Sequence, residues 1–263
     1  MLNKANMAFG GLQYLSMELV RLGFLASLLA GAATGLGAIP IFFIKKLSQR
    51  TLDIMLGFAA GVMIAATAFS LLVPAIELSN VWTVVGGFMA GAIFVHLLDR
   101  YVPHEHIIKG FEGHPSKLSK VTLLILAITI HNFPEGLAVG VTFGSGDIAA
   151  GMVIAIAIGL QNIPEGSAVA FPLIREGVSR KRALWYTTLS GLVEPIGGLI
   201  GVLVVSLMHS VLPIGLAFAA GAMTFVVSDE MIPESHRMGH EREATFGFII
   251  GFTVMMFLDT IFG

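Results

Sequence analysis

Apolar residues are concentrated in eight long segments that short polar linkers separate. A helix of about 20 mostly apolar residues is long enough to cross a bilayer, and each segment reaches roughly that length. The pattern therefore predicts an all-α membrane protein with eight transmembrane helices, numbered 1 to 8 in chain order, at about residues 22–44, 54–77, 82–101, 121–143, 148–174, 183–207, 210–232 and 244–262. Small residues recur in all eight, which favours close helix packing in lipid.

The composition supports a membrane protein, because 56% of the residues are hydrophobic and only 12% are charged, whereas soluble domains carry about 25% charged residues. The chain has no cysteine, which excludes disulfides and thiolate metal ligands. It also lacks the basic tract that a nucleic-acid partner requires. We expect residues 1–263 to form one transmembrane domain, in which residues 1–20 are a retained interfacial segment or a short extra helix rather than a cleaved signal peptide.

Basic residues indicate how the helices are oriented. Lys and Arg follow helices 1, 3, 5 and 7, whereas the linkers after helices 2, 4 and 6 contain neither. Because the cytoplasmic linkers of membrane proteins are rich in Lys and Arg, these linkers are predicted to be cytoplasmic and both termini to lie outside. Residues 102–120, after helix 3, then form a cytoplasmic loop that contains His104, His106 and His114.

Part of the sequence recurs 160 residues later. Residues 58–63 of helix 2 read FAAGVM, and residues 218–223 of helix 7 read FAAGAM. The same shift relates helix 3 to helix 8, for example Gly87 to Gly247, and helix 1 to helix 6. Because each copy lies five helices after the first, the two copies must cross the membrane in opposite directions. Secondary transporters commonly contain such an inverted repeat and bind their substrate near the midplane. Helices 4 and 5 remain between the copies, in a 3 + 2 + 3 arrangement.

Helices 4 and 5 carry the same polar motif in the middle of an apolar segment. The motifs are His131-Asn132-Phe133-Pro134-Glu135 and Gln161-Asn162-Ile163-Pro164-Glu165. Ionisable side chains inside a membrane are costly and are by default candidates for function. His131 and Glu135 are four residues apart and therefore share a helix face. Each proline leaves one backbone carbonyl without its usual partner, and Glu194 of helix 6 adds a third carboxylate.

Imidazole, carboxylate and amide oxygen together are suitable ligands for a divalent cation. Such a cation also balances the negative charge of carboxylates that are buried in apolar surroundings. Without thiolates the ligand set is compatible with zinc, cadmium, iron(II), manganese and cobalt, and it does not choose among them. Three carboxylates are also sufficient for two ions. The sequence therefore predicts a bound or transported divalent metal ion and no catalytic cofactor.

The two motifs resemble those of the ZIP family of metal-ion transporters. The similarity extends over nearly the whole chain, with HNxPEG at residues 131–136 and QNxPEG at residues 161–166. The resemblance implies eight transmembrane helices, outward termini, an inverted 3 + 2 + 3 repeat and a binuclear metal site between helices 4, 5 and 6. It also implies an elevator-like movement of helices 1, 4, 5 and 6 against helices 2, 3, 7 and 8.

The resemblance further implies roles for individual residues. Those implied for the primary site are His131, Glu135, Gln161, Glu165 and Met63. Those implied for the second site are Asn132, Asn162 and Glu194, with Glu135 and Glu165 shared. Similar bacterial members have Asp at the position of Asn162, so we expect the second ion to bind weakly or not at all.

Acidic residues near the predicted helix ends are candidates for the path of the ion. Glu77 and Asp259 lie at the outer ends of their helices, and the residues at the inner end of helix 7 are Asp229, Glu230 and Glu234. Ordinary solvated helix ends explain these positions equally well. The histidines of the loop at 102–120 resemble the histidine-rich loops of the family, which implies loose metal binding there.

The sequence therefore predicts a multi-pass protein of the bacterial inner membrane that takes up Zn²⁺, or a similar divalent ion, into the cytoplasm. A metal exporter or proton-coupled antiporter is the alternative, because ligand chemistry does not set the direction of transport. An intramembrane metalloenzyme is disfavoured, since the motif lacks the second histidine of H-E-x-x-H zinc proteases. The expected partners are divalent metal ions and the lipid bilayer, and the sequence leaves open whether two copies form a homodimer.

Overall fold

The computed structural model describes residues 2–106 and 110–263, and of residues 2–16 it describes the backbone alone. Within these residues eight helices are long and apolar enough to cross a membrane. The prediction of an all-α protein with eight transmembrane helices is therefore confirmed. We number the helices α1 (Leu2–Ala38), α2 (Gln49–Leu78), α3 (Val81–Tyr101), α4 (Lys120–Gly144), α5 (Ile148–Arg175), α6 (Arg180–Leu207), α7 (His209–Ser235) and α8 (Glu241–Phe262).

The first helix begins well before its predicted segment. Its backbone is helical from Leu2, and its membrane-spanning part covers Met17–Phe42, which ends in a 3₁₀ turn at Ile39–Phe42. Residues 2–20 are thus continuous with α1, whereas Met1 lies outside the described residues. The interfacial position that we predicted for residues 1–20 stays a prediction.

Polar side chains in the short linkers determine where four of the helices begin. Asn80 accepts hydrogen bonds from two backbone N–H groups in the first turn of α3. Ser48, Ser119 and Asp147 each accept one such bond, at the starts of α2, α4 and α5. Caps of this kind satisfy N–H groups that have no partner within the helix. The polar linkers between the apolar segments therefore also set the helix boundaries.

Helices α2 and α7 each contain a π-helical turn at equivalent positions. The turns cover Thr67–Leu72 and Val227–Met231, so they start 160 residues apart, which is the shift of the sequence repeat. Proline follows each turn and has no N–H for the carbonyl four residues earlier, which favours a wider turn there. Each turn carries a buried polar residue, Ser70 in α2 and Glu230 in α7.

Helix α6 is broken in the middle, although one continuous helix was predicted over residues 183–207. It consists of Arg180–Gly191 and Glu194–Leu207. Pro195 has no N–H to donate to the carbonyl of Gly191, so the first helix ends there. The break places Glu194 at the start of the second helix, inside the protein.

Helices pack in pairs. Because the 160-residue shift relates α2 to α7 and α3 to α8, two of these pairs correspond to each other in the repeat. Helix α2 packs along α8, and α7 packs along α3. In both pairs the backbones touch, because Gly61 lies against the carbonyl of Phe248 and Gly221 lies against the carbonyl of Phe88. Other extensive contacts are between α1 and α5, between α1 and α6 and between α4 and α6. The sequence repeat therefore corresponds to a repeat of helix contacts.

The linker between α3 and α4 contains an antiparallel hairpin that the sequence did not predict. Strand β1 (His104–His106) pairs with strand β2 (Gly110–Glu112), with His104 opposite Glu112. Residues 107–109, between the strands, lie outside the described residues. Strand β1 packs against α4, and both of its histidines are buried. This part of the predicted loop at 102–120 is therefore folded against the helices.

Candidate metal centre

Three buried carboxyl groups lie on α4, α5 and α6, which pack against one another. They are Glu135, Glu165 and Glu194. Gly136 brings α4 and α6 into backbone contact, because it packs directly on the carbonyl of Glu194 and leaves no room for a Cβ atom. The glycine of the first motif thus sets the carboxylate of Glu135 beside the broken region of α6.

Two amide side chains of α5 hold two of these carboxylates. Gln161 Nε2 donates a hydrogen bond of 2.7 Å to Glu135 Oε1. Asn162 Nδ2 donates to Glu194 Oε1 at 2.6 Å and to the backbone carbonyl of Ala30 in α1 at 2.8 Å. A backbone carbonyl can only accept, so the nitrogen of the Asn162 amide must face it. The Asn162 amide thereby links α5 to both α1 and α6.

Five buried oxygen atoms of the two motifs and Glu194 have no hydrogen-bond partner among the described residues. They are Glu135 Oε2, Glu194 Oε2, Gln161 Oε1, Asn132 Oδ1 and Asn162 Oδ1. A buried polar atom without a partner typically costs about 1–3 kcal/mol, so a group of five requires a compensating ligand. Divalent cations bind carboxylate and amide oxygens. The donor set therefore fits a divalent cation.

The side chain of His131 contacts other residues than its predicted co-ligands. Its Nε2 atom contacts a carboxylate oxygen of Glu230 in α7. Its ring stacks on that of His106 in β1, with centroids 5.9 Å apart and planes 12° apart. His131 lies one turn before Glu135 on the same helix. In this conformation the imidazole therefore belongs to a neighbouring group of candidate ligands.

Met63, the remaining predicted ligand, is fully buried in α2. It belongs to an apolar cluster that also contains Met223 of α7, its counterpart in the sequence repeat. A flexible thioether commonly fills irregular gaps in such a core. Coordination of a metal by the Met63 sulfur stays a prediction.

A second candidate cation site lies where the hairpin meets α4 and α7. His106, His131 and Glu230 each offer one ligand atom, and these atoms lie within 4.8 Å of one another. Two further groups of the same size adjoin it, namely His104, His106 and Glu112, and Asp99, Asp229 and Glu230. The linker and the C-terminal part of α7 therefore form one continuous cluster of candidate metal ligands.

The sequence indicated five of the seven members of this second cluster but did not show that they lie together. Sequence reasoning treated the loop histidines as loose ligands and did not consider Asp99 or Glu112. The available signal was the spacing of His104 and His106, because residues two apart in a strand face the same side. Both histidines do face inward, with exposures of 0% and 4%. The partners of the cluster come from distant parts of the chain, which a local pattern cannot show.

A cavity leads from the metal centre past the second cluster to the protein surface. Its walls include Glu165 of α5, His131 of α4, and Glu230 and Glu234 of α7. It reaches the surface at Arg175, an exposed residue at the end of α5. Glu230 and Glu234, two of the predicted path residues, thus line this cavity. Asp229, the third path residue predicted in helix 7, belongs to the adjoining acidic group.

The two predicted path residues at the outer helix ends are placed differently from each other. Glu77 is exposed near the end of α2. Asp259 of α8 accepts a hydrogen bond of 2.5 Å from Ser70 Oγ in the π-helical turn of α2. The 160-residue shift relates Ser70 to Glu230 and Asp259 to Asp99. The pair of Ser70 and Asp259 is therefore the counterpart, in the repeat, of Glu230 and Asp99.

Comparison with known families establishes the class of this protein. The sequence profile of the family described as "ZIP Zinc transporter" matches residues 108–259. The chain is 47% identical over 251 residues to the zinc transporter GufA of Myxococcus xanthus, which covers 92% of this chain and 99% of GufA. The chain belongs to the ZIP family. It is therefore a membrane transporter and not an enzyme, as predicted.

Two other zinc transporters are similar to this ZIP-family transporter over most of its length. The zinc transporter ZIPB of Bordetella bronchiseptica is 46% identical over 244 residues, which cover 88% of this chain and 78% of ZIPB. The zinc transporter ZupT of Streptococcus mutans is 39% identical over 252 residues, which cover 88% of this chain and 94% of ZupT. The family resemblance that the two motifs suggested is thus confirmed over most of the chain.

Proposed function

We propose that this ZIP-family chain takes up divalent metal ions, above all Zn²⁺, into the cytoplasm through the centre between α4, α5 and α6. Glu135 Oε2 and Gln161 Oε1, two buried oxygen atoms without a hydrogen-bond partner among the described residues, are the observation that carries the proposal. A transported ion satisfies them while it is bound and leaves them when it is released. The names of the similar proteins GufA, ZIPB and ZupT support zinc as the substrate.

The ligands that we propose for the ion come from the two motifs. Glu135, Glu165 and Gln161 supply oxygen atoms, and Met63 supplies a sulfur when α2 comes close enough. His131 supplies its imidazole by leaving Glu230, which is one helical turn away from Glu135 along α4. His131 thereby passes the ion between the metal centre and the second cluster, and from there the ion leaves past Glu230 and Glu234.

We propose one ion at the centre rather than two. The Asn162 amide nitrogen donates to Glu194 and to the Ala30 carbonyl, so only the neutral Asn162 Oδ1 is left for a second ion, where a carboxylate would supply negative charge. Asn162→Asp replaces this donor by a carboxylate and should allow a second ion between α4, α5 and α6. Anomalous scattering from crystals soaked in Cd²⁺ counts the ions directly. Two peaks at this centre in the native protein would contradict the proposal.

The proposed orientation has both termini outside in the bacterial inner membrane. Basic linkers after α1, α3, α5 and α7 support it. Glu77 and Asp259 then lie at the outer side, where they attract cations. The inner cluster of α7 and the hairpin lies at the cytoplasmic side, together with the mouth of the cavity.

We further propose that the helices form an inverted 3 + 2 + 3 arrangement and move as an elevator. The paired contacts of α2 with α8 and of α7 with α3 support a scaffold of these four helices. The contacts of α1 with α5 and of α4 with α6 support a moving group. Between the two groups, Ala66 of α2 and Ala157 of α5 share an apolar cluster whose fully buried members on these two helices are alanine and valine, which suits sliding.

Metal flux in proteoliposomes tests the proposal. We expect Zn²⁺ to accumulate inside metal-free liposomes without an opposing proton gradient and excess Cd²⁺ to compete. Flux that requires an opposing proton gradient would instead indicate an exporter or antiporter. The absence of flux from a protein that still binds Zn²⁺ would contradict transport.

The same assay tests the elevator. The chain has no cysteine, so Ala66→Cys together with Ala157→Cys gives a single defined pair. A crosslink between them should stop flux, and a reductant should restore it. Full flux through the crosslinked protein would rule out sliding of α5 past α2.

A further inference from the structure

Two cytoplasmic linkers meet at one corner of the protein. Arg180 Nη1, at the start of α6, donates a hydrogen bond of 3.1 Å to the backbone carbonyl of Phe42 at the end of α1. Arg175 Nη2, at the end of α5, donates one of 3.3 Å to the carbonyl of Leu47. The linker at residues 43–48 therefore lies beside the linker at residues 176–179.

Four cationic side chains lie at this corner, which we call the basic corner. They are Lys45, Lys46, Lys181 and Arg182, all exposed. Within the part of the chain that the structure describes, none of the four forms an ion pair, whereas nearby Arg50 is paired with Glu243 at 3.0 Å and Lys120 with Glu176 at 2.8 Å. The positive charge of the basic corner is therefore available to an external anion.

Apolar side chains lie directly beside these cations. Phe43 and Ile44 precede the two lysines and are 82% and 41% exposed. Trp185 is 59% exposed and follows Arg182 by three residues, so both lie on one face of α6. Aromatic side chains at helix ends mark the boundary between lipid tails and head groups. The corner thus offers cations at the head-group level and apolar surface just below it.

We propose that the basic corner binds an anionic phospholipid. Its phosphate group contacts the cations, and its acyl chains cover Phe43 and Trp185. Clusters of Lys and Arg next to transmembrane helices bind anionic lipids in this way. Only the assignment of this site to the cytoplasmic leaflet rests on the proposed orientation of the protein. A lipid held there joins the inner ends of α1, α5 and α6, which all belong to the proposed moving group.

The test is a titration of phosphatidylglycerol into the full-length protein in neutral detergent, followed by native mass spectrometry in the absence of zinc. Each cation contributes about fivefold to the affinity, the equivalent of about 1 kcal/mol. The variant Lys45→Gln, Lys46→Gln, Arg182→Gln should therefore bind phosphatidylglycerol on the order of a hundredfold more weakly. Because zinc is absent, the result does not depend on whether the chain transports it.

A matched control keeps the same change in charge but places it elsewhere. Lys117, Arg237 and Arg242 are exposed in the other cytoplasmic linkers, and their replacement by Gln should leave the affinity within about twofold. An equal loss in this control would overturn the site, because binding would then follow net charge alone.

A second variant separates a lipid from a soluble anion. Phe43→Ser together with Trp185→Ser keeps every charge and should weaken phosphatidylglycerol binding several-fold. Soluble glycerol phosphate should not displace the lipid. Unchanged binding in this variant, or displacement by glycerol phosphate at equal concentration, would show that the corner recognises a phosphate and not a phospholipid.

Discussion

Replacing Glu135 by glutamine is expected to abolish high-affinity zinc binding and to reduce uptake by more than about a hundredfold. Loss of a residue that only supports a metal ligand typically costs 10–100-fold, and Glu135 is itself a proposed ligand. Glutamine has the same shape and keeps a group for Gln161 to contact, so the fold should be preserved. Calorimetric titration of zinc and flux at equal protein amounts measure the two effects.

The control for this prediction is Glu18→Gln. Glu18 is an exposed residue of α1. Its replacement by glutamine makes the same change in charge and shape as Glu135→Gln but away from the centre, so zinc binding and flux should stay at native levels. His131→Ala should also lower uptake strongly, because the proposed transfer of the ion requires its imidazole. If Glu135→Gln and His131→Ala both bind zinc with native affinity, the shared site is wrong.

Replacing Gly91 by valine is expected to prevent the protein from folding. Gly91 of α3 lies directly against the backbone carbonyl of Phe218 in α7, so an added Cβ atom would overlap that carbonyl. Overpacking against side chains usually costs about 1–3 kcal/mol, and a backbone contact relaxes only if the two helices separate. We therefore expect a loss of more than about 3 kcal/mol. The amount of protein in membranes and its thermal melting temperature measure the effect.

The matched control is Gly86→Val on the same helix. Apart from its own turns of helix, no atom of the described residues lies within 4 Å of a Cβ added at Gly86, so the same substitution meets open space. Both variants change helix propensity equally, and they differ only in the contact with α7. Normal protein levels and melting in Gly91→Val would show that α3 and α7 do not pack as closely as the structure describes.

The sequence predicted the eight spans because the information for them is local. The length and apolar character of each segment suffice for a helix in lipid, and the polar caps such as Ser48 and Asn80 stand in the linkers. The two motifs were also visible, because a carboxylate such as Glu135 or Glu165 is conspicuous in an apolar helix. The hydropathy pattern did not reveal the break in α6, although the cause of this break, Pro195, is local.

The residues that are costly to bury can be recognised in the sequence, which therefore predicted Glu135, Glu165 and Glu194 as members of one polar site. It did not determine which partner each residue takes. His131 contacts Glu230 of α7, 99 residues later in the chain, and the Asn162 amide bonds the Ala30 carbonyl, 132 residues earlier.

These pairings depend on how distant helices pack in the folded chain, which also buries His104 and His106 close to His131 and Glu230. The physical reason is that hydropathy and helix periodicity act over one or a few turns. Contacts between distant helices depend on which backbones approach closely, and here glycines such as Gly136 and Gly91 control that approach.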